Sequence, residues 1–168
     1  MAHADYVDQG AYSQFRAGFL RHIGMEEKIL LPAAKRLRGG APLLIASKLR
    51  LDHGALATLL IPTPTAGVIA SIRGILKEHN ILEEGPGGLY ETCDELAGSE
   101  AAQLLAKLQA APEVTVLPHS DTPTVMSTVH RARRAQPMSL GGPRQTHSRV
   151  LIKPAALTRA LNVREIVL

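Results

Sequence analysis

Two stretches of this chain repeat one chemical spacing: His22-Ile23-Gly24-Met25-Glu26-Glu27 and His79-Asn80-Ile81-Leu82-Glu83-Glu84. Residues four apart share a face of a helix, so in each stretch the imidazole and the first carboxylate converge on one point. Imidazole nitrogen and carboxylate oxygen are both donors to first-row metal ions. A lone histidine, His53 in Leu51-Asp52-His53-Gly54, falls between the two pairs. Three helices would then direct five ligands, His22, Glu26, His53, His79 and Glu83, into one bundle. Glu27 and Glu84 are the alternates, since one residue of helical distortion would exchange each with its neighbour.

The elements that must carry these groups are helical. Phe15, Phe19, His22, Glu26, Ile29 and Ala33 recur at three- and four-residue steps, which predicts one helix over about Ala11–Arg38 with His22 and Glu26 on its apolar face. A carboxylate on that face is costly unless it is paired, protonated or bound to metal. Gly39-Gly40 ends the helix, and Pro32 inside it should kink the chain one turn beyond the carboxylate. A second helix is expected over Pro42–Leu60, with His53 on the stripe of Leu49, Leu56 and Leu60. Thr63 and Pro64 are placed to cap and start a third, which carries Val68, Ile72, Ile75, His79 and Glu83. Gly85-Pro86-Gly87-Gly88 breaks it, helix resumes over Leu89–Leu96, and Ser99 can cap a last helix ending near Gln109.

From Ala111 onward Pro112, Pro118, Pro123, Pro137, Pro143 and Pro154 punctuate a stretch without sustained period. The expected division is a helical bundle over residues 1–111 and a Pro/Arg-rich, partly disordered basic extension over 112–168. Short helices are allowed at Val125–Arg134 and Pro154–Leu161. The formal charge of +4 belongs to that tail: from Ser120 on, eight Lys and Arg face two acids, and the part before it is net negative.

Composition narrows the class further. Hydrophobic residues make up 45% but aromatics only 3%, so the apolar content is mostly Leu, Ala, Ile and Val, which suits helices. The single cysteine, Cys93, excludes a disulfide framework and every cysteine-rich zinc pattern, and a reducing, cytoplasmic setting is expected. Residues Met1 to Tyr6 lack a basic and apolar leader, and no apolar run approaches the roughly 18 residues of a membrane span. No nucleophile sits in a recognisable elbow, and Cys93 has no adjacent base, so an enzyme is not indicated. Arg131, Arg133 and Arg134 lack interleaved aromatics for base stacking, which argues against nucleic acid as a partner.

The order of the ligands also separates metal classes. Ferritin-like di-iron bundles use Glu-x-x-His, with glutamate first and a three-residue step, and zinc hydrolases of the His-Glu-x-x-His type need two histidines on one turn. Neither pattern occurs here. Iron or manganese suits this donor set, and zinc would accept it.

Phe15 to Pro32, with His22-x-x-x-Glu26-Glu27 and Leu30-Leu31-Pro32, resembles the opening signature of hemerythrin-like, HHE cation-binding domains. Asp52-His53 is similar to that family's third-helix histidine and His79 to Glu83 to its fourth-helix pair, over about Ala11–Leu96. The resemblance implies an all-α fold, an up-and-down four-helix bundle, around a non-haem di-iron centre. In it two carboxylates bridge the irons and a small ligand such as dioxygen takes an open position. Carried over, His22, Glu26, His53, His79 and Glu83 are the ligands, and a mononuclear iron, manganese or zinc site is the fallback.

Two departures stand out. The family's first helix would precede His22, yet only about ten residues lie upstream of Ala11, so that helix is short or missing and His3 is its one candidate ligand. The position four beyond His53 is Ala57, where hemerythrins carry another histidine. A short first helix leaves an apolar groove for a second copy of the chain, the lead segment or the tail. The function expected is oxygen or oxidant binding, sensing or iron handling; the contrasting reading is a metal-free helical interaction or regulatory protein with a degenerate site.

Overall fold

The structure, a computed structural model, describes residues 7–135, and within them every regular element is helical. His3 and the helix expected at Pro154–Leu161 lie outside the described residues. The first long helical segment is α1 (Gln9–Met25), a π turn (Glu26–Leu30) and α2 (Leu31–Leu37) in unbroken succession. Asp8 caps it, its carboxylate accepting from the Ala11 N–H at 3.0 Å. Where a kink at Pro32 was expected, the helix carries a π turn just before the proline: the Leu31 N–H bonds the Glu26 carbonyl, five residues back. Pro32 then falls in the first turn of α2, where its missing N–H costs nothing. Gly39 and Gly40, at φ +66° and +97°, reverse the chain in a conformation that side chains with a Cβ avoid.

The second helix, α3 (Ala46–Leu59), begins four residues later than expected from Pro42. Leu43 is tucked into the core and its carbonyl accepts from the Ala46 N–H, so the residues before Ala46 form a turn rather than helix. The third, α4 (Ala66–Glu84), starts at Thr65, whose hydroxyl accepts from the Val68 N–H. Thr63 was the expected cap; it is instead held by Asp121, through its N–H at 2.8 Å and its hydroxyl at 2.7 Å. Two short helices follow, α5 (Leu89–Ala97) and α6 (Ala101–Gln109), separated by a single tight turn at Gly98–Glu100 where a Ser99 cap was expected.

Buried apolar residues fall into two clusters, and the chain passes between them three times. Tyr12, Phe15 and Phe19 of α1 join Leu56 and Leu59 of α3 and Val68, Ile72 and Ile75 of α4 in one. Met25, Leu30 and Leu31, with Leu43, Ala46 and Leu49 and with Leu89 and Cys93 of α5, form the other. The first segment, α3 and α4 therefore run up, down and up, and α5 closes the fourth side at the second cluster. Between the clusters each of the three long segments contributes buried polar residues: His22 and Glu26, Asp52 and His53, His79 and Glu83.

Residues beyond 111 return along the bundle. Arg21 donates to the Ala111 carbonyl at 2.8 Å, Arg16 to the Leu117 carbonyl at 2.7 Å, and the Ser120 N–H to the Ile61 carbonyl at 3.1 Å. The chain then forms α7 (Pro123–Ala135), which spans the short helix expected at Val125–Arg134, packs against α3 and buries Val129 among Tyr12 and Phe15. Helical packing thus continues past residue 111, and part of the apolar surface next to the first helix is covered by the chain's own tail. No helix among the described residues is long and apolar enough to cross a membrane.

Candidate metal centre

All five residues singled out by spacing meet in the polar layer, at 0–3% exposure. The two pairs behave as helical neighbours should: His79 Nε2 lies 2.5 Å from Glu83 Oε1 and His22 Nε2 lies 3.4 Å from Glu26 Oε1. His53 enters from α3 with Nε2 3.0 Å from Glu26 Oε2 and 3.7 Å from Glu83 Oε1. One ligand atom each from Glu26, His53, His79 and Glu83 lies within 4.8 Å of all the others, the dimension of a metal site.

The two carboxylates divide their oxygens in parallel. Glu26 Oε2 and Glu83 Oε1 face His53, with His79 beside Glu83, whereas Glu26 Oε1 and Glu83 Oε2 face His22, the latter at 3.6 Å. Four of these atoms, Glu26 Oε2, His53 Nε2, His79 Nε2 and Glu83 Oε1, are buried without an aligned hydrogen bond. These four atoms pair only with one another, at 2.5 to 3.7 Å, and together present the donor types of a first-row cation. The residues therefore fit a metal ion on the His53/His79 side.

The π turn decides the roles of the glutamates. Consecutive residues of a regular helix diverge by about 100°, yet Glu26 reaches Nε2 of His53 while Glu27 reaches Nδ1 of the same ring at 2.7 Å. Glu27, expected as an alternate ligand, is the partner that orients His53, and it also binds Arg50 at 3.2 Å. Glu84 stays outside the clustered group. Asp52 stands behind His79 on the side where Glu27 stands behind His53, but without an aligned hydrogen bond: its Oδ2 lies 3.5 Å from His79 Nδ1, and Lys48 pairs with its other oxygen. Carboxylates behind ligating histidines fix ring orientation and raise donor strength.

Spacing also missed Tyr90. Its hydroxyl donates to Glu26 Oε1 at 2.6 Å and reaches Glu83 Oε2 at 3.1 Å, with His22 Nε2 at 3.5 Å. The residue lies in the first turn of α5, and the Gly85–Gly88 turn returns it to the layer seven residues after Glu83. At Gly88 a Cβ would stand 2.7–2.8 Å from the carbonyl oxygens of Gly85, Glu83 and Leu82, so only glycine lets the chain turn this tightly. The sequence carried the glycine cluster as a helix breaker; its effect on Tyr90 depends on the path of the chain.

Protons are distributed unevenly over the layer. Burial works against a charge on His53, but its bonds to Glu26, Glu83 and Glu27 outweigh that and push its pKa up to about 10. His22 is likewise raised, burial being overcome by Glu26 and Glu83. Burial would raise Glu83, yet the hydrogen bonds of His22, His53 and His79 hold it well below the carboxylate range. Glu26 goes the other way: burial raises it, and the neighbouring Glu83 adds to the rise against the pull of His22. Burial likewise raises the Tyr90 phenol, and lifts Cys93 on the same helix to about 12, which leaves that thiol unreactive. The layer thus holds imidazolium protons in the place where a cation would bind, so metal and protons compete for the same lone pairs.

Comparison of the chain with protein-family models, with curated proteins and with solved structures finds no match.

Proposed function

We propose that the polar layer is a metal centre of hemerythrin type, built for a pair of irons, and that the protein binds or senses dioxygen or a related oxidant, or handles iron. The observation that carries this reading is the parallel division of Glu26 and Glu83, each offering one oxygen to the His53/His79 side and one to the His22 side. A carboxylate used in this way bridges two cations, and two bridging carboxylates hold them as a pair. Single-ion sites of this size have no need for such a division.

Bound iron would supply reversible one-electron chemistry and an open coordination position for a small oxidant. The chain does the rest. Glu27 holds the ring of His53 so that its Nε2 faces inward, and the carboxylate of Asp52 lies behind His79. Apolar clusters on either side of the layer keep bulk water away and strengthen every charge interaction within it. Among the described residues, the buried polar layer holds no acid-base group besides the ligands and their partners, which favours binding or sensing over turnover of an organic substrate.

The test is elemental analysis of protein purified anaerobically without chelator, with optical spectra before and after admitting air. About two irons per chain and new near-ultraviolet bands after air are expected. No metal even after reconstitution with ferrous iron would overturn the proposal and leave a metal-free helical interaction protein.

A further inference from the structure

The two sides of the centre are not equivalent in nitrogen donors: His53 and His79 serve one side and His22 alone the other. We propose that Tyr90 Oη is a protein ligand of the metal on the His22 side, an inference that rests on the two-metal reading above. The geometry is that of a coordination shell. Tyr90 Oη, His22 Nε2, Glu26 Oε1 and Glu83 Oε2 have five measured separations: 2.6, 3.1, 3.4, 3.5 and 3.6 Å. Donors bound to one ion at about 2.0–2.2 Å stand roughly 2.8–3.6 Å apart in octahedral or tetrahedral arrangements. Four of the five separations, among atoms from three separate helices, meet this condition, and the fifth, Tyr90 Oη to Glu26 Oε1 at 2.6 Å, is a short hydrogen bond that a cation would open slightly.

A phenol has one proton, so Tyr90 donates to Glu26 or to Glu83 at a given moment, and in the metal-free layer the raised pKa values of Glu26 and His22 keep protons available for the remaining contacts. A cation among the four donors would take the place of those protons. The tyrosine is also held in place, 1% exposed and fixed in direction by the Gly85–Gly88 turn. On binding, the O–H bond breaks and its proton leaves to solvent while the Oη–metal bond forms, with no electron transferred. A phenolate is an anionic donor and favours the higher charge state of the ion it binds. The His22 side would then hold the iron that is more easily oxidised.

The experiment uses the full chain and its Tyr90→Phe variant. Both are loaded anaerobically with ferrous iron, freed of excess, counted for iron, oxidised with ferricyanide, and measured by visible absorption and resonance Raman spectroscopy. The wild type is also prepared with ring-deuterated tyrosine. The expected result is about two irons per wild-type chain, a visible phenolate-to-iron band, and Raman ring modes that shift on deuteration. Tyr90→Phe should lose the band and hold about one iron fewer, while a Tyr6→Phe/Tyr12→Phe chain should keep the band. Two irons in the wild type without deuterium-sensitive phenolate modes would overturn the assignment of Tyr90 and leave the two-metal reading standing. No iron in the wild type would overturn the two-metal reading itself. The labelled wild type decides the matter even where Tyr90→Phe fails to fold.

Discussion

Glu26 and Glu83, both fully buried and from different helices, are driven in opposite directions by the same surroundings: Glu26 is held above the ordinary carboxylate value and Glu83 far below it. Two adjacent carboxylates in a dry layer cannot both ionise cheaply. Three histidines converge on Glu83 and stabilise its charge, while burial and that same charge disfavour ionisation of Glu26. A bound cation would favour ionisation of both.

Stability of the chelator-treated protein should therefore depend on pH in a definite sense. His53 binds its proton up to about pH 10 in the fold against an ordinary value of 6.5, so its contribution is full below 6.5 and is lost as pH rises to about 10. Glu26, also raised, adds to the loss on the alkaline side. Glu83, lowered from 4.5, acts oppositely: its contribution is present above that value and fades as pH falls below it. Urea midpoints of metal-free protein should peak between about 4.5 and 6.5 and decline toward pH 10. A flat profile above 6.5 would contradict the placement of His53.

Metal loading should replace these protons and stabilise the fold. At a free metal concentration a hundredfold above Kd the gain is about 2.7 kcal/mol, visible as a rise of several degrees in Tm. Calorimetric titration in buffers of different ionisation enthalpy should detect protons released on binding. Equal heats in all buffers would argue that the imidazoles are already free of protons.

Behind the ligands, Asp52→Asn and Glu27→Gln should each lower metal affinity about 10–100-fold while leaving the helical content unchanged. His79→Ala, which removes a donor atom, should cost more. Competition with a chromophoric chelator ranks the three. Asp52→Asn with wild-type affinity would reduce Asp52 to a partner of Lys48.

How much of this was legible in the sequence depended on how local each relationship is. The pairs His22/Glu26 and His79/Glu83 are fixed by one helical turn, so spacing alone placed each pair on a single face. His53 needed company, and the apolar stripe of its helix supplied the direction. Glu27 could be read only as an alternate ligand, because its true direction depends on the π turn, and the proline that follows was legible as a kink. Asp52 acts across a helix–helix contact on His79, which no spacing within one helix encodes. Tyr90 reaches the layer through a glycine turn whose path is three-dimensional; an aromatic two residues after Gly85-Pro86-Gly87-Gly88, in a chain so poor in aromatics, was the available signal. The short helix at Val125–Arg134 was legible, but its docking on α3 was not, because that partner is remote in sequence.

Gly88→Ala tests the turn. Its Cβ would press on three backbone carbonyls that cannot rotate away, for which about 1–3 kcal/mol of destabilisation is expected. Tyr90 should move with the backbone, so the variant should also bind metal more weakly. Chemical denaturation and metal titration report the two effects separately. A Gly88→Ala chain with unchanged stability would mean that the turn has room to relax.

Removing residues 112–168 should uncover the face that α7 covers. Full burial of a valine such as Val129 is worth about 1.5–3 kcal/mol, and Arg16 would lose its carbonyl partner, Leu117. The truncated chain should be less stable and should self-associate in sedimentation velocity. A compact, equally stable monomer would show that the strap and α7 are dispensable.

The polar layer between the two apolar clusters bears on how the molecule assembles. Each cluster can exclude water alone, as an oil drop would, but the seam joining them holds together only while each of its charges has a partner. Cooperativity of folding is thus delegated to the seam. With a counter-charge in place the two halves melt as one body. Without it, the three long helical segments that cross the layer are the mechanical coupling, and fraying should begin in the middle of the protein rather than at its ends.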